Sequence, residues 1–122
     1  MPETVSRMRL DAEEILRLVL ARLDDMKAED ILTIDLRDKS SVGDYMVVSC
    51  GRSQRHVGSV ADRVVEDLHK AGVPARVEGM PHCDWVLIDA GVVIVHVFRP
   101  EVRAFYNLEG MWTSGRVTRR AS

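Results

Sequence analysis

The chain has 122 residues, 30% of them charged and 46% hydrophobic, and a formal net charge of −2. That length supports one domain with a real core and not two, and the composition excludes disordered and fibrous classes. No apolar run approaches the roughly 20 residues of a membrane span, and the N-terminus MPETVSRMRLDAEE has no secretory pattern, so a cytoplasmic protein without membrane contact is expected.

Residues 11–27, DAEEILRLVLARLDDMK, are predicted to be a helix, because Ile15, Leu16, Val19, Leu20, Leu23 and Met26 fall on one face at helical spacing. Asp11 followed by Glu14 fits an N-terminal capping arrangement. DILTIDL (30–36) is short and β-branched and reads as a strand, and RDKSSVG (37–43) as a polar loop. DYMVVSCG (44–51) is a second strand. Ser53 is placed to cap a helix over 54–71, whose stripe of Val57, Val60, Ala61, Val64, Val65, Leu68 and Ala71 suits a helix laid on a sheet. Gly72 stands where a left-handed C-terminal cap belongs, and Pro74 stops continuation. ARVEG (75–79) is a short strand. DWVLID (84–89) and VVIVHVF (92–98) form a hairpin about Ala90 and Gly91. Pro100 suits the first turn of a short helix, PEVRAFY. The order αββαβββα contains no repeat and no linker. The expected fold is α/β, a single-domain mixed β-sheet with flanking helices.

Charge is unevenly placed. The last seven residues, RVTRRAS, hold three of the 17 basic side chains and no acid, so residues 1–115 carry 14 basic and 19 acidic groups, a net of −5. A domain of that sign suits a basic partner better than a phosphate backbone, so direct RNA contact is expected to be minor at most. Residues 1–115 are taken as the domain and 116–122 as a basic, disordered, solvated tail. Cys50 and Cys83 form no CxxC or Cys/His cluster and read as free thiols of a reducing compartment.

The candidate chemistry is thin. His82, Cys83 and Asp84 are consecutive, which sends three ligand types in different directions, and no second ligand pair follows. His96 lies inside an apolar strand and reads as a buried or half-buried histidine with one satisfied nitrogen. His56, near a helix start, reads as exposed. Gly51-Arg52-Ser53 joins a strand to a helix, where a phosphate can sit on free N–H groups. The pattern resembles the glycine-serine turn of nucleotidyltransferases, but the paired carboxylates that hold magnesium in those enzymes have no counterpart here. No nucleophile comes with a base and an orienting group. No catalytic residue, metal or cofactor is assigned, and the chain is expected not to be an enzyme. The aromatic residues Trp85, Phe105, Tyr106 and Trp112 fit core and interface equally well by type.

Three segments, DLRDKSSVGDYMVVSCGRSQRHVGSVADRVVEDL, EGMPHCDWVLIDAGVVIVHVF and RAFYNLEGMW, resemble in that order the ribosomal silencing factor family, also called Iojap-like or DUF143. The similarity covers about residues 11–113. It rests on S-x-x-DY before a strand, the G-x-S-x-RHV helix entry, the EG…DWVL…VHVF hairpin and the FY-x-LE-x-(L/M)W ending. The resemblance implies a non-enzymatic, homodimeric factor that binds the large ribosomal subunit through ribosomal protein uL14, blocks joining of the small subunit and represses translation. Organellar members act in large-subunit assembly, and a diverged nucleotidyltransferase-like enzyme is the remaining alternative. The implied fold is a nucleotidyltransferase-like sandwich without the catalytic acids. On this basis the hairpin is expected to be a recognition element, with Asp84, Trp85 and Asp89 facing a basic ribosomal protein and Tyr106, Leu108 and Glu109 extending the patch.

Overall fold

The computed structural model describes residues 11–37, 43–80 and 82–102, and the backbone of 116–119. Helix α1 (Ala12–Asp25) starts with the expected capping box. Glu14 N–H donates to the Asp11 carboxylate at 2.8 Å, and Asp11 N–H donates to Glu14 Oε1 at 3.0 Å. These bonds satisfy N–H groups that the first turn leaves without helical partners. Helix α2 (Gln54–Lys70) starts at Ser53, whose Oγ accepts from His56 N–H at 3.1 Å. At its other end Val73 N–H reaches back to the Leu68 carbonyl and Gly72 N–H to that of His69, the paired bonds of a left-handed helix stop. The stop after α1 uses the same pattern, Ala28 to Leu23 and Lys27 to Asp24, but places Lys27 at the left-handed position with φ 63°. The sequence carries no glycine there to announce it.

Among the described residues six strands form one mixed sheet: β1 (Glu29–Asp35), β2 (Tyr45–Cys50), β3 (Arg76–Glu78), β4 (Trp85–Asp89), β5 (Val93–Phe98) and β6 (Arg116–Arg119). Their spatial order is β3-β4-β5-β2-β1-β6. β4 and β5 are the expected antiparallel hairpin, with Trp85 opposite Phe98 and Asp89 opposite Ile94. β2 and β5 pair in parallel at the centre, Val48 beside His96, and every residue of both strands is buried. Burial on both faces accounts for their near-continuous apolar sequences. β1 pairs antiparallel with β2 through a bulge between Glu29 and Leu32, where Asp30 takes φ 51°.

Residues 116–119 correct the expectation of a disordered end at 116–122. They form β6, which pairs antiparallel with β1, Leu32 opposite Arg119 and Asp35 opposite Arg116. Three arginines in seven residues suggested a solvated tail, but an edge strand tolerates charge, since its outer rim faces water. The helix expected over PEVRAFY is described only at 100–102, which are helical.

Both helices cover one face of the sheet. Ile15, Val19 and Leu23 from α1 and Val57, Val60, Val64 and Leu68 from α2 pack on Ile31, Val47, Val86, Ile88, Val95 and Val97. The other face carries a smaller cluster of Leu32, Ile34, Leu36, Met46, Val48, Cys50 and Phe98, with Trp85 and Val102 packed against it. Neither helix contributes to this second cluster.

Candidate functional site

Strand β4 has a strict alternation. Val86 and Ile88 are buried under the helices, while Trp85, Leu87 and Asp89 are half-buried on the opposite face. A two-residue repeat places those three side chains in one row. The row lies one strand in from the edge, beside the three-residue β3, whose Arg76 stands opposite Asp89 and Glu78 opposite Leu87. The sequence reading selected Trp85 and Asp89 and missed Leu87. The same alternation, applied to DWVLID, finds it.

Trp85 is both core and surface. Its indole stacks on Phe98, ring centroids 5.1 Å apart at 25°, and its Nε1–H donates to His96 Nδ1 at 2.9 Å. His96 and Phe98 are themselves stacked at 5.7 Å and 13°. His96 is thus a buried histidine with Nδ1 satisfied, as its place in an apolar strand suggested. Burial lowers its pKa from 6.5 to about 4. The backbone beside Trp85 is closely fitted too: Gly79 sits at φ 93°, and a Cβ there would collide with the Trp85 carbonyl oxygen.

Asp84 is a structural hub as well as a surface acid. Gln54 Nε2 donates to its Oδ1 at 3.0 Å and to the His82 carbonyl at 3.1 Å. Arg99 Nε lies 2.9 Å from the same Oδ1, a charge contact that is off hydrogen-bond alignment. Arg99 N–H also donates to the Asp84 carbonyl at 3.0 Å. These bonds tie the start of β4 to α2 and to the end of β5. The Asp89 carboxylate accepts from Gly91 N–H at 2.9 Å and shapes the hairpin turn. Tyr106, Leu108 and Glu109, with Phe105 and Trp112, lie outside the described residues.

The residues that lead into β4 are engaged locally. His82 is exposed, and Cys83, at φ 57°, directs its Sγ to the Met80 carbonyl at 2.7 Å. Cys83 carries a free thiol, and Cys50 is buried in β2. Among the described residues no three of His, Cys, Asp and Glu converge as metal ligands would. The Gly51-Arg52-Ser53 turn is filled by its own side chains: Ser53 caps α2, and His56 Nδ1 accepts Arg52 N–H at 2.9 Å. Nε2 of His56 contacts the Met26 carbonyl at 2.8 Å, so this ring is half-buried and clamps α2 to the end of α1, correcting its assignment as exposed. Gly51 is required by a close approach, since a Cβ would come within 2.8 Å of Val57 Cγ2. The carboxylate linked to this turn through Gln54, that of Asp84, is already paired with Arg99. No described helix is long and apolar enough to cross a membrane.

A mixed sheet with two helices on one face and the half-buried row Trp85, Leu87 and Asp89 on the other defines a domain of the α/β class. Comparison with known proteins places it further. The family model described as "Ribosomal silencing factor during starvation" matches residues 9–121. The "Ribosomal silencing factor RsfS" of Zymomonas mobilis is 51% identical over 106 residues, covering 86% of this chain and 80% of that protein. A crystal structure of a Chromobacterium violaceum protein superposes with a TM-score of 0.83 at 38% identity, covering 85% of this chain and 88% of that one. The mouse protein named "Mitochondrial assembly of ribosomal large subunit protein 1" is 28% identical over 100 residues, 79% of this chain and 44% of its own length. The chain belongs to the ribosomal silencing factor family.

Proposed function

We propose that this protein is a cytoplasmic translation repressor that binds the large ribosomal subunit through the basic ribosomal protein uL14 and blocks joining of the small subunit by occupying space. It acts without a cofactor or catalytic turnover, and free molecules pair as homodimers. The observation that carries the reading is the row Trp85–Leu87–Asp89, half-buried on a strand whose alternate residues are fully buried. A rigid tryptophan beside a leucine, rimmed by acids, has the composition of an interface anchor. Asp84, Tyr106, Leu108 and Glu109 complete the proposed patch. Because Asp84 is paired with Arg99 and Asp89 faces Arg76 across the strands, the apolar pair carries more of the affinity than charge does. A part in large-subunit assembly is a second reading, favoured by the name of the mouse relative.

Order of addition tests the mechanism. A factor that spends no nucleotide cannot pull joined ribosomes apart, and competes by mass action for a surface on the free large subunit. Added to large subunits before small ones, it suppresses joining in a sucrose-gradient profile in proportion to occupancy. Added to joined ribosomes, it does little until they separate spontaneously. Rapid splitting of intact ribosomes, or no binding to large subunits, rules the proposal out.

A further inference from the structure

His96 is the anomaly of β5. Its strand, VIVHVF, is otherwise apolar and completely buried, and His96 is 6% exposed. An aliphatic side chain would fill the place without the desolvation that an imidazole suffers there. What the imidazole adds is an acceptor. Trp85 is paired with Phe98 across the hairpin, so His96 is its diagonal neighbour on the same face, a distance aromatic side chains can span. The indole Nε1–H meets His96 Nδ1 at 2.9 Å, with ring centroids 5.9 Å apart. Since Nδ1 accepts, the neutral ring carries its proton on Nε2.

Stacking and hydrogen bonding constrain Trp85 differently. Its contact with Phe98, 5.1 Å and 25°, holds the ring plane but tolerates rotation within that plane. A hydrogen bond is directional and removes that freedom. We infer that His96 is a positioning residue for partner docking: its Nδ1 locks the in-plane orientation of the Trp85 indole, so that the half-exposed ring meets the partner already ordered. This rests on the proposed role of Trp85 as an anchor on the large ribosomal subunit. An anchor ordered before docking avoids the rotamer cost otherwise met on binding.

The test uses the full chain and three variants. In His96→Asn the amide Oδ1 falls where Nδ1 lies and keeps an acceptor. In His96→Gln the amide reaches past that point, and in His96→Leu there is none. The first readout is the Trp85 indole N–H resonance in a ¹H–¹⁵N spectrum, identified by its loss in Trp85→Phe. The second is co-sedimentation with purified large ribosomal subunits. The expected result is a wild-type-like resonance and affinity in the Asn variant. In the Gln and Leu variants the resonance moves or broadens and affinity falls about tenfold, beyond any change in the folded fraction. The Asn–Gln pair keeps the comparison decisive if the Leu variant fails to fold. Equal affinity across all three, alongside weak binding by Trp85→Ala, overturns the inference and leaves the functional proposal standing. Normal binding by Trp85→Ala, or no binding by the wild type, overturns the anchor reading and the docking role of His96 with it. An indole resonance unchanged in the Leu variant overturns the positioning claim by itself.

Discussion

The two faces of the sheet are built from the same strands and do different work. Under α1 and α2 the side chains are almost all aliphatic, and Val19, Leu23, Val57, Val64 and Leu68 have no exposed surface. On the other face the cluster around Phe98 contains aromatic rings, a histidine and a half-buried tryptophan. Aliphatic side chains fill volume without direction, which suits a core whose task is stability. Rings and a directional hydrogen bond specify orientation, which suits a surface that must present one shape. The contrast teaches that the helix-side face is fixed by filling volume, while the face around Trp85 is fixed in orientation by ring stacking and the bond to His96.

The largest effect that would expose this division is expected from Leu23→Ala. Leu23 is fully buried between α1 and the rest of the helix-side core. Removing it should destabilise the fold by about 2–5 kcal/mol, read from chemical denaturation. Affinity for large subunits, corrected for the folded fraction, should stay unchanged. A comparable loss of specific affinity would show that the faces are not separable.

Acid should distinguish the faces through two different windows. Burial depresses His96 to about 4. The unfolded chain, with histidine near 6.5, then binds the proton first. The His96 contribution is therefore complete above pH 6.5 and is lost progressively down to about pH 4, amounting to about 3 kcal/mol. On the helix side, burial alone would raise Asp67, but hydrogen bonds from Arg22 and Arg63 outweigh it and hold the carboxyl below its ordinary 3.8. Its contribution is present above that value and lost only as pH falls further. Stability measured against pH should thus begin to fall on account of His96 well before the α1–α2 tie weakens. In His96→Asn the slope between pH 6.5 and 4 should be reduced. An undiminished slope assigns it to other histidines.

Trp85→Ala should affect both properties, unlike the helix-side change. Truncating a hot-spot tryptophan typically costs 2 kcal/mol or more of binding, roughly a thirtyfold loss of affinity. Because Trp85 also stacks on Phe98, some stability is lost as well, but less than for a fully buried tryptophan. Denaturation and co-sedimentation on the same samples separate the two. If affinity per folded molecule is unchanged, Trp85 belongs to the core alone.

The sequence was legible wherever local rules decide. Periodicity located both described helices and the first five strands to within a residue or two, and Asp11, Glu14, Ser53 and Gly72 marked helix ends by their own hydrogen-bond chemistry. The hairpin followed from two apolar runs around one turn. Non-local partners were not legible: the parallel pairing of β2 with β5 and the placement of β6 beside β1 depend on segments brought together by the whole fold, while the bond from Trp85 to His96 depends on side-chain geometry inside the hairpin. The candidate site was half legible. Trp85 and Asp89 stood out by type, while Leu87 emerges from the strand period, and the roles of Asp84 in pairing Arg99 and of Asp89 in the turn appear only in three dimensions.

The smallest expected effect is an improvement, and it sharpens the comparison from the helix side. Lys27 ends α1 at φ 63°, a left-handed position that glycine adopts without steric penalty and a lysine does not. Relieving that strain is worth about 2 kcal/mol. Two terms oppose the gain in Lys27→Gly. Glycine frees the unfolded chain, and the lysine charge near the negative end of the helix is lost, at about 0.3–1 kcal/mol for an exposed site. The strain term should win by roughly 0.5 kcal/mol, a rise of about 2–3 °C in Tm for a domain of this size. Lys27→Asn, which loses the same charge but keeps a side chain suited to the left-handed region, should gain less. Because Lys27 lies beside α1 and not on the Trp85 row, neither variant should alter affinity for large subunits. A fall in Tm for both would mean that the charge at the end of α1 outweighs the backbone strain, and a change in affinity would extend the recognition surface to the helix face.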